Sequence, residues 1–372
     1  MRGDKRFYLS IKNNHQPSND NQVKQQVKPN RKNVNRSPYI SNAPSVSTIM
    51  CKVLLALVPG ILAYVWVYGG GILVALGLAT LTALATEAAM LKIRNRAIKP
   101  FLLDYSAVVT AWLLALSLPP LAPWWLIVVG TFFAIAISKQ LYGGLGYNPF
   151  NPAMVGYAVL LISFPIVMTK WPAPLSLAHS QLGFMDQLHY IFGNVLPNSI
   201  TLDAVTSATP LDYLKTQLTL KHEVQSITES PIFGTVGAKG GEYVVAAYLL
   251  GGLFLLQQRI ISWHLPTAFL LALAFISGVF HLVNPAHFAS PLFHLFSGAS
   301  MLCAFFIITD PVSGPTTPKG KLYFAAGTGI LVYLIRIYGG YPDGIAFAVL
   351  FMNICVPLID ANTQPRVFGH PK

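Results

Sequence analysis

Apolar residues come in long runs along this chain, and polar residues fill the gaps between them. Past residue 50 the runs cover about 51–68, 70–92, 102–119, 122–138, 152–169, 242–257, 265–283, 291–309, 322–337 and 344–360. Each is close to the length a helix needs to cross a bilayer, so the pattern predicts about ten transmembrane helices. Several runs are short, which predicts tilted or broken helices. One long polar interruption, residues 170–241, parts the runs into two groups of five. Five is odd, so the second group would run inverted relative to the first. The predicted fold is an all-α polytopic membrane protein. Its parts are a five-helix half over 51–169, a long extracytoplasmic loop over 170–241, a second half over 242–360 and a C-terminus over 361–372.

Residues 1–50 contain no apolar run and carry nine Lys/Arg against two Asp. Such a segment has too little apolar surface to offset the entropy of ordering, so a disordered basic tail is expected. Attraction to anionic lipid would follow from its charge. The whole chain is 53% hydrophobic and only 10% charged, against roughly 25% charged in soluble domains. That excludes an ordinary water-soluble domain. The formal charge of +12 points to membrane orientation rather than nucleic acid, because the basic residues collect in the tail and the short loops. Lys92, Arg94, Arg96 and Lys99 share one loop, Lys139 marks another, Arg259 and His264 a third, and Lys319 and Lys321 a fourth. The opposite short loops, 119–123 and 284–290, carry no Lys or Arg; Arg336 is the one exception. The positive-inside rule then places both termini in the cytoplasm and residues 170–241 outside it. The three cysteines, Cys51, Cys303 and Cys355, are isolated. They offer no zinc spacing, disulfide framework or cluster ligation.

Each half carries a break rich in Gly, Pro and Asn. The first runs from Tyr142 to Met154 and the second from Thr309 to Gly320. Irregular backbone near lipid must be buried in protein or line a cavity, and broken helices at a repeat interface are a transporter-like plan. Pro and Gly also punctuate ordinary loops, so both readings stand at this point. The two breaks fall one span apart within their halves, which tells against a strict repeat.

The polar interruption holds Asp203-Ala-Val-Thr206-Ser207-Ala208-Thr209-Pro210. Taken alone it reads as a hydroxyl-rich turn opening an amphipathic helix, since Thr caps helices well and Pro suits the first turn. Three further stretches accompany it: Gly146-Tyr-Asn148-Pro-Phe-Asn151-Pro-Ala, Thr309-Asp310-Pro-Val-Ser313-Gly314-Pro, and Gly339-Gly-Tyr-Pro342-Asp343-Gly344 with Pro357-Leu-Ile-Asp360 beyond it. In this order the set resembles the D subunits of Rnf electron-transport complexes, a family related to the B subunit of the sodium-translocating NADH:quinone reductase. The likeness covers the chain from about Lys52 to the end; the tail is longer than the family's.

That resemblance implies a redox subunit. It implies FMN esterified through its phosphate to the hydroxyl of Thr209 by an exported flavin transferase, with Asp203, Thr206 and Ser207 as neighbouring recognition or capping groups. Ser207 stands where the family often has Gly. A reachable hydroxyl between small neighbours suits such a modification. The resemblance also implies a second, non-covalent flavin, riboflavin, for which the aromatic, Gly-rich stretch Tyr142–Phe150 is a weak candidate. Partners implied are flavoprotein and iron–sulfur subunits that meet ferredoxin and NAD, because this chain has neither an NAD fingerprint nor cluster cysteines. The implied location is a bacterial inner membrane, with the flavin loop periplasmic and Na+ or H+ as the coupled ion.

Among ionisable residues in the apolar runs, Glu87 is the most interior and Asp310 lies in the second break. Both are ion-coupling candidates, since charge in the bilayer is costly and usually functional. The structural alternative for Glu87 is a salt bridge to Lys92 or Arg94 on its own helix. For Asp104, Asp343 and Asp360 helix capping is preferred. His281, His287 and His294 are too dispersed for a metal. A solute channel or transporter with inverted halves and no redox role is the competing function. A covalently bound flavin would separate the two.

Overall fold

The computed structural model describes residues 45–178, 180–197, 200–341 and 343–365. Most of the tail and the last seven residues therefore lie outside the described residues. Helical elements stand at all the expected runs, and five are long and apolar enough to cross a membrane. The protein is a multi-pass helical membrane protein with no strand among the described residues.

In chain order the helices that matter here are α1 (Val46–Tyr68), α2 (Gly71–Ile93), α3 (Ser106–Ser117), α4 (Trp124–Gln140), α5 (Pro152–Ser163), α6 (Phe184–Gly193), α7 (Pro210–Thr219), α8 (Gly241–Gln257), α9 (His264–Val283), α10 (Pro291–Phe296), α11 (Pro318–Tyr338) and α12 (Ile345–Thr363). α1 starts inside the stretch read as tail, because Ser45 caps it by accepting from the Thr48 amide at 3.2 Å. α12 runs three residues past the expected end of the last span. The expected run 291–309 is divided. α10 stops at Phe296, and a new turn starting at Ser300 passes into a π-helical stretch, Cys303–Ile307. α4 likewise ends in a π-helical stretch, Phe133–Gln140. The polar interruption is not a bare loop: it contains α6, α7 and two shorter turns.

Packing follows small residues. α1 lies along α8, where a side chain at Gly251 would collide with the Ala56 carbonyl and one at Gly60 with the Tyr248 ring. Close backbone approach at small residues is how helices associate in lipid, where burial of apolar surface gives no driving force. α2 packs on α3 and α4, and α9 packs on α11. α5 meets α12. The polar interruption closes the end of the bundle where α1 finishes and α2 starts. There Gln187 of α6 accepts from the Gly71 amide at 2.6 Å, and the Leu175 amide donates to Val67 at 2.8 Å.

Both breaks meet at one knot. Asn151 caps α5, accepting from the Met154 amide at 3.2 Å. Its side-chain amide donates to the Ile307 carbonyl at 3.1 Å, at the end of the π-helical stretch. Its backbone amide donates to the side chain of Asn353 on α12 at 3.1 Å, and Asn353 donates onward to the Ser313 carbonyl at 2.9 Å. Asn151 and Asn353 are both buried. Two asparagines thus satisfy backbone groups that the breaks would otherwise strand.

Asn353→Ala should therefore strand the Asn151 amide and the Ser313 carbonyl. A loss of about 1–3 kcal/mol is expected for leaving buried groups unpaired. It would be read as a lower unfolding midpoint of the detergent-solubilised protein. Asn362→Ala, whose side chain is exposed and donates only to Leu358 of its own helix, should leave the midpoint in place.

Candidate functional site

The hydroxyl-rich stretch is held by backbone pairing. The Ser207 amide donates to the Trp171 carbonyl at 2.9 Å, and the Ala173 amide donates to Val205 at 2.8 Å. These bonds lay residues 205–207 against 171–173. Thr209 then caps α7: its hydroxyl accepts from the Asp212 amide at 3.3 Å and Pro210 fills the first helical position. Leu211 and Leu214 bury the inner face of α7. Capping and helix start are what the sequence alone predicted, but the segment is more ordered than a flexible loop, and Thr209 is half-buried.

Ser207 to Asp212 form part of the wall of a large cavity. Its other walls carry Tyr64, Tyr68, Tyr157, Trp171 and Tyr248, with Lys239 beside them. The space between these walls, counted together with the solvent in its open mouth, is about 1530 Å³. Met154 and Ile307 also line it, so the cavity extends from the polar interruption to the knot at the breaks. Tyr248 lines this space, and its hydroxyl is buried without a protein partner.

Not every expected site residue gathers here. Thr206 lines a second cavity with Tyr190, Asn194 and Lys170, and its hydroxyl donates to Leu202 at 3.0 Å. Asp203 is exposed in the short turn Leu202–Val205 and does not line the main cavity. Lys239 and the tyrosines were not singled out from the sequence, because their convergence depends on α1, α5 and α8 meeting. A further strap holds α7. The Lys215 ammonium donates to the carbonyls of Gly339 and of Tyr341, the latter at 3.3 Å. Burial pushes the Lys215 pKa down from its ordinary value, and the Asp212 carboxylate pushes it back up.

The ion-coupling candidates are separate, and no hydrogen bond joins them among the described residues. Glu87 is 1% exposed and pairs with Lys139 of α4 at 2.6 Å. Neither Lys92 nor Arg94 is its partner. Lys92 is exposed, and Arg94 is occupied by Gln140, at 2.9 Å to the side chain, and by the Gly143 carbonyl at 3.1 Å. The π-helical end of α4 turns Lys139 and Gln140 inward, where both donate to Glu87 Oε1. Asp310 closes its own turn instead, accepting from Ser313 Oγ at 2.7 Å and from the Val312 amide at 3.3 Å.

Of the three aspartates expected to cap helices, Asp104 does so, accepting from the Ser106 amide at 2.7 Å. Asp360 accepts from the Thr316 amide at 3.1 Å and so secures the second break rather than its own helix. Asp343 forms a salt bridge to Arg336 at 3.2 Å and accepts from the Ala299 amide at 3.0 Å. Arg336 also donates to the carbonyls of His294 and Ser297, at 2.8 and 3.2 Å, where α10 breaks. Its burial explains why it departs from the alternation of basic and neutral loops. His281, His287 and His294 do not come together with carboxylates or thiols in any group of three or more that could hold a metal among the described residues. In the stretch proposed for a second flavin, Tyr142 and Tyr147 are exposed.

These features define a multi-pass helical membrane protein with Thr209 on the wall of a cavity lined by aromatic residues. The family profile described as "NQR2, RnfD, RnfE family" matches residues 33–369. Among similar proteins, the D subunit of the ion-translocating oxidoreductase complex of Salmonella paratyphi B is 52% identical over 344 residues, covering 90% of this chain and 98% of that protein. The protein of the same name from Yersinia pseudotuberculosis is 54% identical over 342 residues, covering 90% of this chain and 97% of its own. The chain belongs to the NQR2, RnfD, RnfE family.

Lys215→Met would release the strap on α7. A hydrogen bond to a charged group contributes about 1.5–3 kcal/mol, so amide exchange across Pro210–Thr219 should quicken roughly tenfold or more, while α9 exchanges as before. Hydrogen–deuterium exchange with mass spectrometry reads both segments in one sample.

Proposed function

We propose that this chain is the flavin-carrying membrane subunit of an ion-translocating ferredoxin:NAD oxidoreductase complex, with FMN bound as a phosphoester on Thr209. The observation that carries the proposal is the position of Thr209, on the wall of a deep aromatic cavity at the start of a helix. A phosphate there is favoured twice, by the free amides and positive end of α7 and by the ammonium of Lys239 on the same wall. Esterification leaves Thr209 Oγ able to accept from the Asp212 amide, so the cap survives modification. Bound there, FMN would supply the one-electron chemistry that this chain's side chains lack.

The chain's own residues then hold and shield. The tyrosines and Trp171 offer aromatic faces, and the unpartnered Tyr248 hydroxyl offers a donor to a bound ring. Lys215 fixes the helix that carries the attachment point. The close pairing of α1 with α8 and of α5 with α12 supports two related five-helix halves, ten crossings in all. On that plan both termini are cytoplasmic and residues 170–241 are periplasmic in a bacterial inner membrane. An exported flavin transferase would then attach the FMN. Flavoprotein and iron–sulfur partners would meet ferredoxin and NAD. Riboflavin would be a second, non-covalent flavin elsewhere in the membrane domain. Glu87 and Asp310 are proposed to take part in moving Na+ or H+.

Thr209→Ala should abolish covalent FMN while the chain still inserts, because a capping hydroxyl contributes only about 1 kcal/mol. Thr206→Ala should keep some flavin, since its hydroxyl is not the one esterified. Mass spectrometry of the peptide spanning residues 200–215 tests this: FMN less one water on Thr209 supports the proposal, and an unmodified peptide from an active, transferase-competent complex sinks it. A reporter fused after Leu202 should be active only outside the cytoplasm, and one after Lys319 only inside; reversal of either removes the ten-span plan.

A further inference from the structure

The buried ion pair between α2 and α4 is the end of a longer chain of hydrogen bonds. Lys139 Nζ donates to Glu87 Oε1 at 2.6 Å and to Ser106 Oγ at 2.7 Å. Ser106 Oγ in turn donates to Asp104 Oδ1 at 2.5 Å. Glu87, Lys139 and Ser106 are all buried, whereas Asp104 is half-exposed at the head of α3. Gln140 Nε2 also donates to Glu87 Oε1, at 2.7 Å. Arg94 is the other cation packed nearby, and its guanidinium is taken up by Gln140 and the Gly143 carbonyl.

Two details set this apart from an ion pair that only holds helices together. A buried pair in a purely structural role needs its remaining lone pairs satisfied. Here Glu87 Oε2 is buried with no protein partner. The second detail is the direction of the Lys139 ammonium, which spends a proton on a hydroxyl that leads to the surface carboxylate. A metal cation at Oε2 would also sit beside that ammonium, in a low-dielectric interior where like charges repel strongly. A proton brings the same charge but bonds to that one oxygen and needs no further ligands, whereas a metal cation would need a shell of several.

We propose that Glu87, Lys139, Ser106 and Asp104 form a proton relay between the membrane interior and the loop end of α3. The proposal rests on the ion-translocating reading above and names the species passed at Glu87 as a proton. A proton reaching Oε2 makes Glu87 a carboxylic acid. One Lys139 N–H proton passes to Ser106 Oγ as the Ser106 O–H proton passes to Asp104 Oδ1. That leaves a neutral amine, an unchanged hydroxyl and a protonated Asp104. The Glu87 carboxyl then turns its O–H to Nζ and restores the ammonium. Asp104 gives its proton to water. One proton has moved and every side chain is back in its starting form; each step also runs in reverse.

The test uses the whole complex in sealed vesicles, with an internal pH dye and ²²Na+ followed together during electron transfer. Ser106→Ala should slow proton movement during electron transfer about a hundredfold or more, the low end of what a positioned proton donor contributes. Ser106→Thr should restore it, and Asp104→Asn should match the loss although its amide still accepts the Ser106 hydroxyl. Flavin content, read by fluorescence of the denatured band, should stay normal in all three. Transport in the unsubstituted complex should slow in D2O, and Ser106→Ala should alter that isotope effect. Proton movement equal to the unsubstituted complex in Ser106→Ala overturns the relay. So does ²²Na+ uptake with no dye response and no isotope effect. If the unsubstituted complex moves neither ion during electron transfer, the ion-translocating reading fails, and the relay fails with it.

Discussion

Interrupting a helix inside hydrocarbon strands backbone groups that water cannot reach, each at a cost of several kcal/mol. The fold depends on how this constraint is met. Asn151 and Asn353 meet it on one side, by spending their side chains on the Ile307 and Ser313 carbonyls and on the Asn151 amide itself. Arg336 meets it at the α10 break, covering the His294 and Ser297 carbonyls while Asp343 balances its charge. Asp360 covers the Thr316 amide. With these bonds in place, irregular backbone can sit against a cavity that the Thr209 stretch helps to line.

Much of this was legible in the chain itself, and the failures are instructive. The apolar runs located the helices, because length and hydropathy are local properties. The Thr-Pro start of α7 was legible for the same reason: a cap and a first-turn proline act within four residues. The partner of Glu87 was not legible. Lys139 lies 52 residues away, and only the π-helical end of α4 turns it inward. One extra residue in a turn rotates every later side chain by about 100°, and no propensity announces it. Arg336 stood out from the loop-charge pattern because it is buried and paired with Asp343, a contact that the sequence does not announce. The aromatic cavity was invisible for a further reason, since its walls come from helices that meet only in three dimensions.

The two polar centres differ in what surrounds them. The cavity near Thr209 is roomy and aromatic, with a hydroxyl of Tyr248 left free. The Glu87 centre is tight, with cations already in place and hydrogen bonds running outward. The first suits holding a flat molecule. The second suits passing something no larger than a proton.

The contact between α1 and α8 has a consequence for biogenesis. Near the start of α1, Lys52 donates to Gln258, just past the end of α8, across 206 residues of sequence. At roughly 5–20 residues per second, the ribosome needs on the order of 10–40 s to make α8 after α1 has emerged. Throughout that interval the Ala56 face of α1 has only lipid or a chaperone to meet. Small residues on that face let any helix approach closely, so until α8 arrives the face must be kept from a wrong partner. The nascent half therefore waits in the bilayer without a partner, and the bundle cannot close until most of the chain has been translated.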